Sequence, residues 1–241
     1  FCSERRQSSY VKHQRIACRC LSVRISLCWC GCNAPNDSDA LMASRFEVTI
    51  LGSSSATPTS NRFPSAQLLN VSERFFLIDC GEGAQIQLRR YKIRFQRINH
   101  IFISHLHGDH YFGLMGLICS LHLLGRQKKL TIYHPHGLKE IVEMQLKISH
   151  TIINYEIEWV ELNCEEPALI YEDSQLTVHT VILFHRIPCV GFLFREKEKP
   201  LSLRKEKLAE YDIPITASRF TFVELPGRES CRTVCCIMYR K

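Results

Sequence analysis

Ile98-Asn-His-Ile-Phe-Ile-Ser-His-Leu-His-Gly-Asp-His110 is the stretch that decides how this chain is read. Its first half, Ile98–Ser104, is a short run of apolar and β-branched residues, the pattern of a buried strand. Its second half places four potential metal ligands, His105, His107, Asp109 and His110, within six residues. In an extended segment alternate side chains point the same way, so His105 and His107 share one side. Gly108 permits a turn that brings Asp109 and His110 to a second point. Two adjacent pairs of ligands suit a two-metal site. Imidazole with carboxylate favours Zn²⁺ over Ca²⁺ or Mg²⁺, with Mn²⁺ and Fe also compatible. Two such ions can grip the attacking and leaving oxygens of a phosphoryl centre. A buried strand before the cluster and an apolar helix after it set it apart from a histidine-rich surface loop.

Working outward, Phe46–Leu51 alternates apolar with polar residues and reads as a half-buried strand. Gly52–Ser60 is rich in turn formers. Arg74–Cys80 reads as a buried strand, and Gly81-Glu-Gly83 leads into a helix running to Ile93. Tyr111–Leu124 is apolar on most faces, a buried helix stopped at Gly125. Leu130–Tyr133 is a short strand. Gly137–Ser149 carries Leu138, Ile141, Met144 and Ile148 at three- and four-residue steps, the stripe of an amphipathic helix. Tyr155–Glu161, Gln175–Leu183 and Val190–Arg195 read as further strands. Strands and helices alternate without internal repeats, so the fold class is α/β or α+β, with sheets covered by helices. His185, at the end of one of these strands in Phe184-His-Arg-Ile-Pro188, is the favoured partner of His105 and His107. The other histidines of the body, such as His100, His134 and His136, lack comparable context.

Composition bounds the rest. The chain has 241 residues, a formal charge of +7 and 13 cysteines, with 45% apolar and 23% charged residues. These are ordinary values for a globular protein and exclude an acidic disordered tail, a collagen-like chain and a disulfide miniprotein. No apolar run approaches the ~20 residues of a membrane-spanning helix. The charge and the thiols sit at the ends: residues 1–41 carry six cysteines and a net +3, residues 227–241 three cysteines and +3, and the 185 residues between carry +1. Cys28, Cys30 and Cys32 fit only half of a zinc module, with no second pair at a fixed distance. The expected organisation is therefore a non-homologous end at 1–41, disordered or mis-framed, with Met42 as the native start; a domain at 42–195; an exposed arm at 196–219; and a second disordered or mis-framed end at 220–241. The stretch Arg89–Arg97 interleaves basic and aromatic residues, either to meet phosphates or as a solvated helix face.

The cluster His105-Leu-His-Gly-Asp-His110 and four further blocks resemble the ribonuclease Z family of the metallo-β-lactamase superfamily, tRNA 3′-processing endonucleases. The blocks are Leu51–Thr59 with Arg62 and Ser65; Leu77–Gln87; Gly113–Leu117 with Leu123-Leu-Gly-Arg126 and Leu130–Tyr133; and His185–Pro188 with Gly191. They run in order from about Arg45 to Arg195. The resemblance implies an αββα sandwich, here with an incomplete second half, and two Zn²⁺ at one edge of the sheets. His105, His107 and His185 would hold the first ion, Asp109 and His110 the second. A metal-bound hydroxide would cut the 3′ trailer from precursor tRNA, with Asp109 as the catalytic proton acceptor. Asp79 and Glu82 would orient the ligand histidines, or serve the fold alone. The resemblance also implies a homodimer, with the helix after the zinc cluster as its interface. The four cysteines of the body, Cys80, Cys119, Cys164 and Cys189, are scattered and read as the reduced thiols of a cytoplasmic protein, and no membrane association is expected. The family's bridging Asp and a later His fall beyond the His185 block, and here Asp212 is the only Asp, and no His, in that part of the chain. The second metal site is therefore expected to be weak, and the chain to lack part of the site. Two alternatives compete: another hydrolase of the same fold, such as a phosphodiesterase on small nucleotides, and a truncated, non-catalytic product.

Overall fold

The computed structural model describes residues 45–197, together with the backbone of two short strands, Arg24–Ile25 and Thr233–Cys236. The cysteine-rich stretch near Cys28–Cys32 and the arm beyond Lys197 lie outside the described residues.

Two sheets and a layer of helices make up the body. The first sheet runs β1 (Arg24–Ile25), β2 (Phe46–Gly52), β3 (Ala66–Val71), β4 (Arg74–Ile78), β5 (Ile98–Phe102), β6 (Leu130–His134), β7 (Ile157–Glu161) in that spatial order. β1 to β4 pair antiparallel, and β4 to β7 pair parallel. The parallel strands are joined by crossovers that carry α1 (Ala84–Arg90), α2 (Gly108–Tyr111), α3 (Leu114–Leu123) and α4 (Leu138–Ile148). The second sheet is antiparallel, with β8 (Leu169–Glu172), β9 (Leu176–Ile182), β10 (Val190–Glu196) and β11 (Thr233–Cys236) as neighbours in that order.

Alternation along the strands builds two cores. Leu77, Ile101, Ile103 and Ile132 face the helices and pack with Leu88, Leu114, Leu117, Ile118, Leu121 and Leu138. Phe76, Ile78, Phe102 and Tyr133 face the second sheet and meet Val178, Val190, Phe192 and Phe194. Phe102 anchors this interface: its ring stacks on Tyr133 at 4.4 Å and meets Phe192 and Phe194 edge-on at 5.3 Å. Side chains buried on both faces explain why β4 to β6 read as continuous apolar runs. The arrangement is an α/β sandwich in which helices cover the first sheet and the second sheet covers its other face.

Three elements differ from the sequence reading. The Ala66–Val71 strand is not visible in the sequence pattern, because it joins β4 through the two-residue turn Ser72–Glu73. Both residues take positive φ, 50° and 67°, where Asn-Gly is the usual signal. Asn70 supports the turn by accepting the Glu73 N–H at 2.9 Å. The segment His105–His110 is not all loop; its last residues form the one-turn α2, and Gly108 opens that turn rather than adopting a left-handed bend. On α4 the buried line is Leu138 and Val142, with Leu146 packed partly against the core, while Ile141, Met144 and Ile148 are exposed. Both stripes are apolar, so periodicity alone could not choose between them.

His100 lies between the sheets, against Phe76, Tyr133 and Tyr171. Burial pushes its pKa down to about 4, against a weak upward pull from Glu158 and Asp173. An unfolded chain protonates the same ring near pH ~6.5. Between those values only the unfolded state takes up the proton, so stability falls as pH drops from about 6.5 to about 4. In metal-free protein, His100→Phe should flatten this acid limb by about 1.4 kcal/mol per pH unit, measured by urea unfolding across that range.

Candidate metal centre

The site sits at the ends of β4, β5 and β9, where the chain leaves the sheets. β5 delivers Ser104 and His105 directly. Both are almost fully buried. His107 follows two residues on and stands as the extended residue before α2. Its Nδ1 lies 3.0 Å from His105 Nε2. His185 arrives from the β9–β10 loop, 78 positions along the chain from His107, and places its Nε2 3.0 Å from the same Nδ1. That loop is held in place by Leu183 N–H donating to the Cys189 carbonyl and Val190 N–H to the Ser104 carbonyl, at 3.2 and 3.1 Å. The three histidines offer ligand nitrogens that all lie within 4.8 Å of one another. A tetrahedral ion with ~2.0–2.1 Å bonds to imidazole needs nitrogens about 3.3 Å apart, so this donor set fits a first-row transition metal with little movement. All-imidazole ligation suits Zn, Cu, Fe or Ni rather than Mg or Ca.

Asp79 organises the cluster. It ends β4 in a left-handed conformation, φ 54°, and is almost fully buried. Its Oδ1 accepts the Ser104 N–H at 2.9 Å and the Ser104 hydroxyl at 2.8 Å. Its Oδ2 accepts the Ser65 hydroxyl at 3.1 Å and pairs with His110 Nδ1 at 2.6 Å. With the hydroxyl proton of Ser104 spent on Asp79, its oxygen is left to accept from His105 Nδ1, 3.0 Å away. One carboxylate thereby sets the tautomers of two rings: His105 and His110 each carry the proton on Nδ1 and turn an Nε2 lone pair outward. Burial, with His110 adding to it, pushes the His105 pKa down to about 3, which keeps that ring neutral. Burial opposes charge on His110, but the Asp79 hydrogen bond and the charges of Asp79 and Asp109 outweigh it and raise its pKa. Asp109 lies beside this ring, its Oδ2 3.3 Å from His110 Nε2.

The structure thus brings His105, His107 and His185 together at one point and sets Asp109 and His110 beside them, linked through the 4.1 Å approach of the His105 and His110 rings. Glu82 stays exposed on the following turn. The basic stretch is engaged within the chain: Arg89, Arg90 and Arg97 lie over Phe95, Phe63 and Phe75 at 5.0–5.3 Å, and Arg97 also pairs with Glu73. Sequence reading passed over Ser104, whose signal is its place between a buried strand and the first ligand.

Glycine makes the approach of these loops possible. A Cβ on Gly113 would lie 2.2 Å from the Gly81 carbonyl oxygen and 2.9 Å from that of Cys80. The Gly113 N–H donates to that Cys80 carbonyl, and Cys80 N–H to the carbonyl of His110. Neither backbone segment can yield without moving Asp79 or His110. Gly113→Ala should cost about 3 kcal/mol in urea unfolding, by overpacking a contact with no slack.

The family model described as anti-Pycsar protein Apyc1 matches residues 46–194. Ribonuclease Z of Bacteroides thetaiotaomicron is 48% identical over 171 residues, 71% of this chain and 54% of that protein. Ribonuclease Z of Cytophaga hutchinsonii is 50% identical over 165 residues, 68% of this chain and 53% of that protein. The chain therefore spans about half the length of the curated relatives it matches. Human tRNase Z, short form, superposes with a TM-score of 0.55 at 36% identity, covering 61% of this chain and 64% of that one. The metallo-β-lactamase fold protein YhfI of Bacillus subtilis superposes with a TM-score of 0.50 at 19% identity, a likeness of fold.

Proposed function

Since the chain belongs to the metallo-β-lactamase-fold family of the anti-Pycsar protein Apyc1 model, and its curated relatives are ribonucleases Z, we propose that it carries the metal-binding part of a phosphodiesterase site acting on precursor tRNA. The observation that carries this reading is the meeting of His105 Nε2, His107 Nδ1 and His185 Nε2 from two loops far apart in sequence. These three hold the first ion, Zn²⁺, and Asp109 with His110 offers the beginning of a second site. A bound divalent ion lowers the pKa of water and withdraws charge from phosphoryl oxygens. The protein's own part is orientation and proton handling. Asp79 and Ser104 hold the His105 ring with its lone pair facing the ion, and Asp79 does the same for His110. Asp109, in the first turn of α2, accepts the proton of the attacking water at Oδ2. Asp109 and His110 supply only two ligands, so the second ion binds less tightly than the first. The domain is read as residues 42–195. The proposed assembly is a homodimer and the proposed location the cytoplasm. Among the described residues no helix is long and apolar enough to cross a membrane.

Zinc-loaded protein should release the 3′ trailer from a precursor tRNA transcript, and His107→Ala should lower that rate at least 100-fold while far-UV circular dichroism stays unchanged. Intact transcript in the presence of bound zinc would contradict the tRNA assignment. Hydrolysis of a small nucleotide diester under the same conditions would transfer the site to the second reading, a phosphodiesterase on small nucleotides.

A further inference from the structure

Beside the histidine cluster lies a cleft of about 950 Å³, and His107 forms part of both. Its inner walls are apolar: Leu106, Pro135, Ile187 and Pro188. Two carboxylates, Glu161 and Glu165, also line it, and Glu161 Oε1 pairs with His136 Nδ1 at 3.2 Å. Asn163, another lining residue, accepts the Glu165 N–H at 2.8 Å.

Resting on the phosphodiesterase reading above, we infer that this cleft takes the nucleobase next to the phosphate held at the histidine cluster, with preference for bases that carry an exocyclic amino group. The chemistry of the lining selects the occupant. A phosphate at the cluster carries its sugar and base away from the ligand nitrogens, and the cleft is the adjoining space, since His107 belongs to both. Flat proline and aliphatic walls suit the face of a base. The two carboxylates repel a second phosphate, so the backbone is directed out of the cleft and only the uncharged part of the nucleotide enters. Carboxylate oxygens accept hydrogen bonds and donate none, so they pair with the amino groups of adenine, cytosine or guanine, whereas uracil offers only its N3–H, flanked by two carbonyl oxygens that repel a carboxylate. The size is that of a site for a whole nucleoside.

The test is calorimetric titration of the zinc-loaded chain with inorganic phosphate, ribose 5-phosphate, UMP and AMP. AMP should bind at least about tenfold more tightly than ribose 5-phosphate, as expected for one stacked base, with UMP between them. Glu161→Ala should bring AMP to within about twofold of UMP, with inorganic phosphate unchanged. Cys164→Trp, which fills the cleft, should bring AMP to the level of ribose 5-phosphate; should that variant fail to hold zinc, the comparison of the four ligands on the unaltered chain decides. Equal binding of AMP and ribose 5-phosphate, with phosphate still bound, overturns the cleft assignment and leaves the metal reading standing. AMP binding that persists undiminished after zinc removal also overturns it, since the base would then be held without the phosphate anchor. Failure of phosphate to bind the zinc-loaded chain removes the phosphodiesterase reading and the cleft assignment together.

Discussion

Replacing Asp79 by Ala should destabilise the metal-free protein by about 3–5 kcal/mol and weaken zinc binding by about 10–100-fold. The carboxylate has four partners: the N–H and hydroxyl of Ser104, the hydroxyl of Ser65 and Nδ1 of His110. Its removal leaves the Ser104 N–H buried without an acceptor and the His110 Nδ1–H with only the Ser104 hydroxyl oxygen, 3.5 Å away, each loss costing about 1–3 kcal/mol. It also frees the Ser104 hydroxyl to donate to His105, which would turn the proton of that ring onto Nε2, the atom the metal needs. Asp79→Asn separates the two effects. The amide oxygen still serves Ser104, so the stability loss is smaller. The amide NH₂ faces His110 Nδ1 and imposes the opposite tautomer on that ring. Urea unfolding of the two variants, with zinc affinity by chelator competition, checks both halves of the expectation.

Arg126→Ala should cost about 3–4 kcal/mol, and Arg126→Lys nearly as much, although the charge is retained. The guanidinium is almost fully buried, and among the described residues no carboxylate pairs with it. All five of its N–H groups are used: Nε on the Lys128 carbonyl, Nη1 on Gln96 and Ile98, Nη2 on Lys129 and the Asn99 side-chain oxygen. It lies 5.5 Å from the Tyr155 ring. These acceptors belong to the entry of β5 and the turn before β6, so one side chain ties the start of the site-bearing strand to its neighbour. Lysine offers three donors from a single point and cannot span them. Denaturant midpoints of the two variants measure the cost. Equal stability of Arg126→Lys and the parent would show that charge, not the planar fork, is what the fold uses.

How far the sequence could be read follows from what each residue's signal depends on. His105, His107, Asp109 and His110 are legible because their spacing is local and a buried strand fixes their origin. His185 was legible only in combination, as a strand-end histidine in search of partners; its 3.0 Å approach to His107 depends on the packing of one sheet on the other. The Leu123–Arg126 block reads as a helix end, yet its Arg acts on carbonyls some 30 positions earlier in the chain, which no local pattern encodes. The role of Asp79 rests on a left-handed backbone at the end of β4 and on Ser104, whose hydroxyl carries its influence to His105. The hairpin turn Ser72–Glu73 was hidden for the opposite reason: its residues do not advertise the positive φ they adopt, and only Asn70 supports it.

On the reading proposed above, three histidines from two loops form one transition-metal site. Equilibrium dialysis of the metal-free chain against Zn²⁺, with metal content read by elemental analysis, tests it most directly when run beside His185→Ala. His185 sits on an exposed loop, so its loss should leave the fold unchanged by circular dichroism. One tightly held zinc per chain is expected, with about 100-fold weaker binding in the variant. No stoichiometric zinc in the parent chain, or equal retention by the variant, would contradict it.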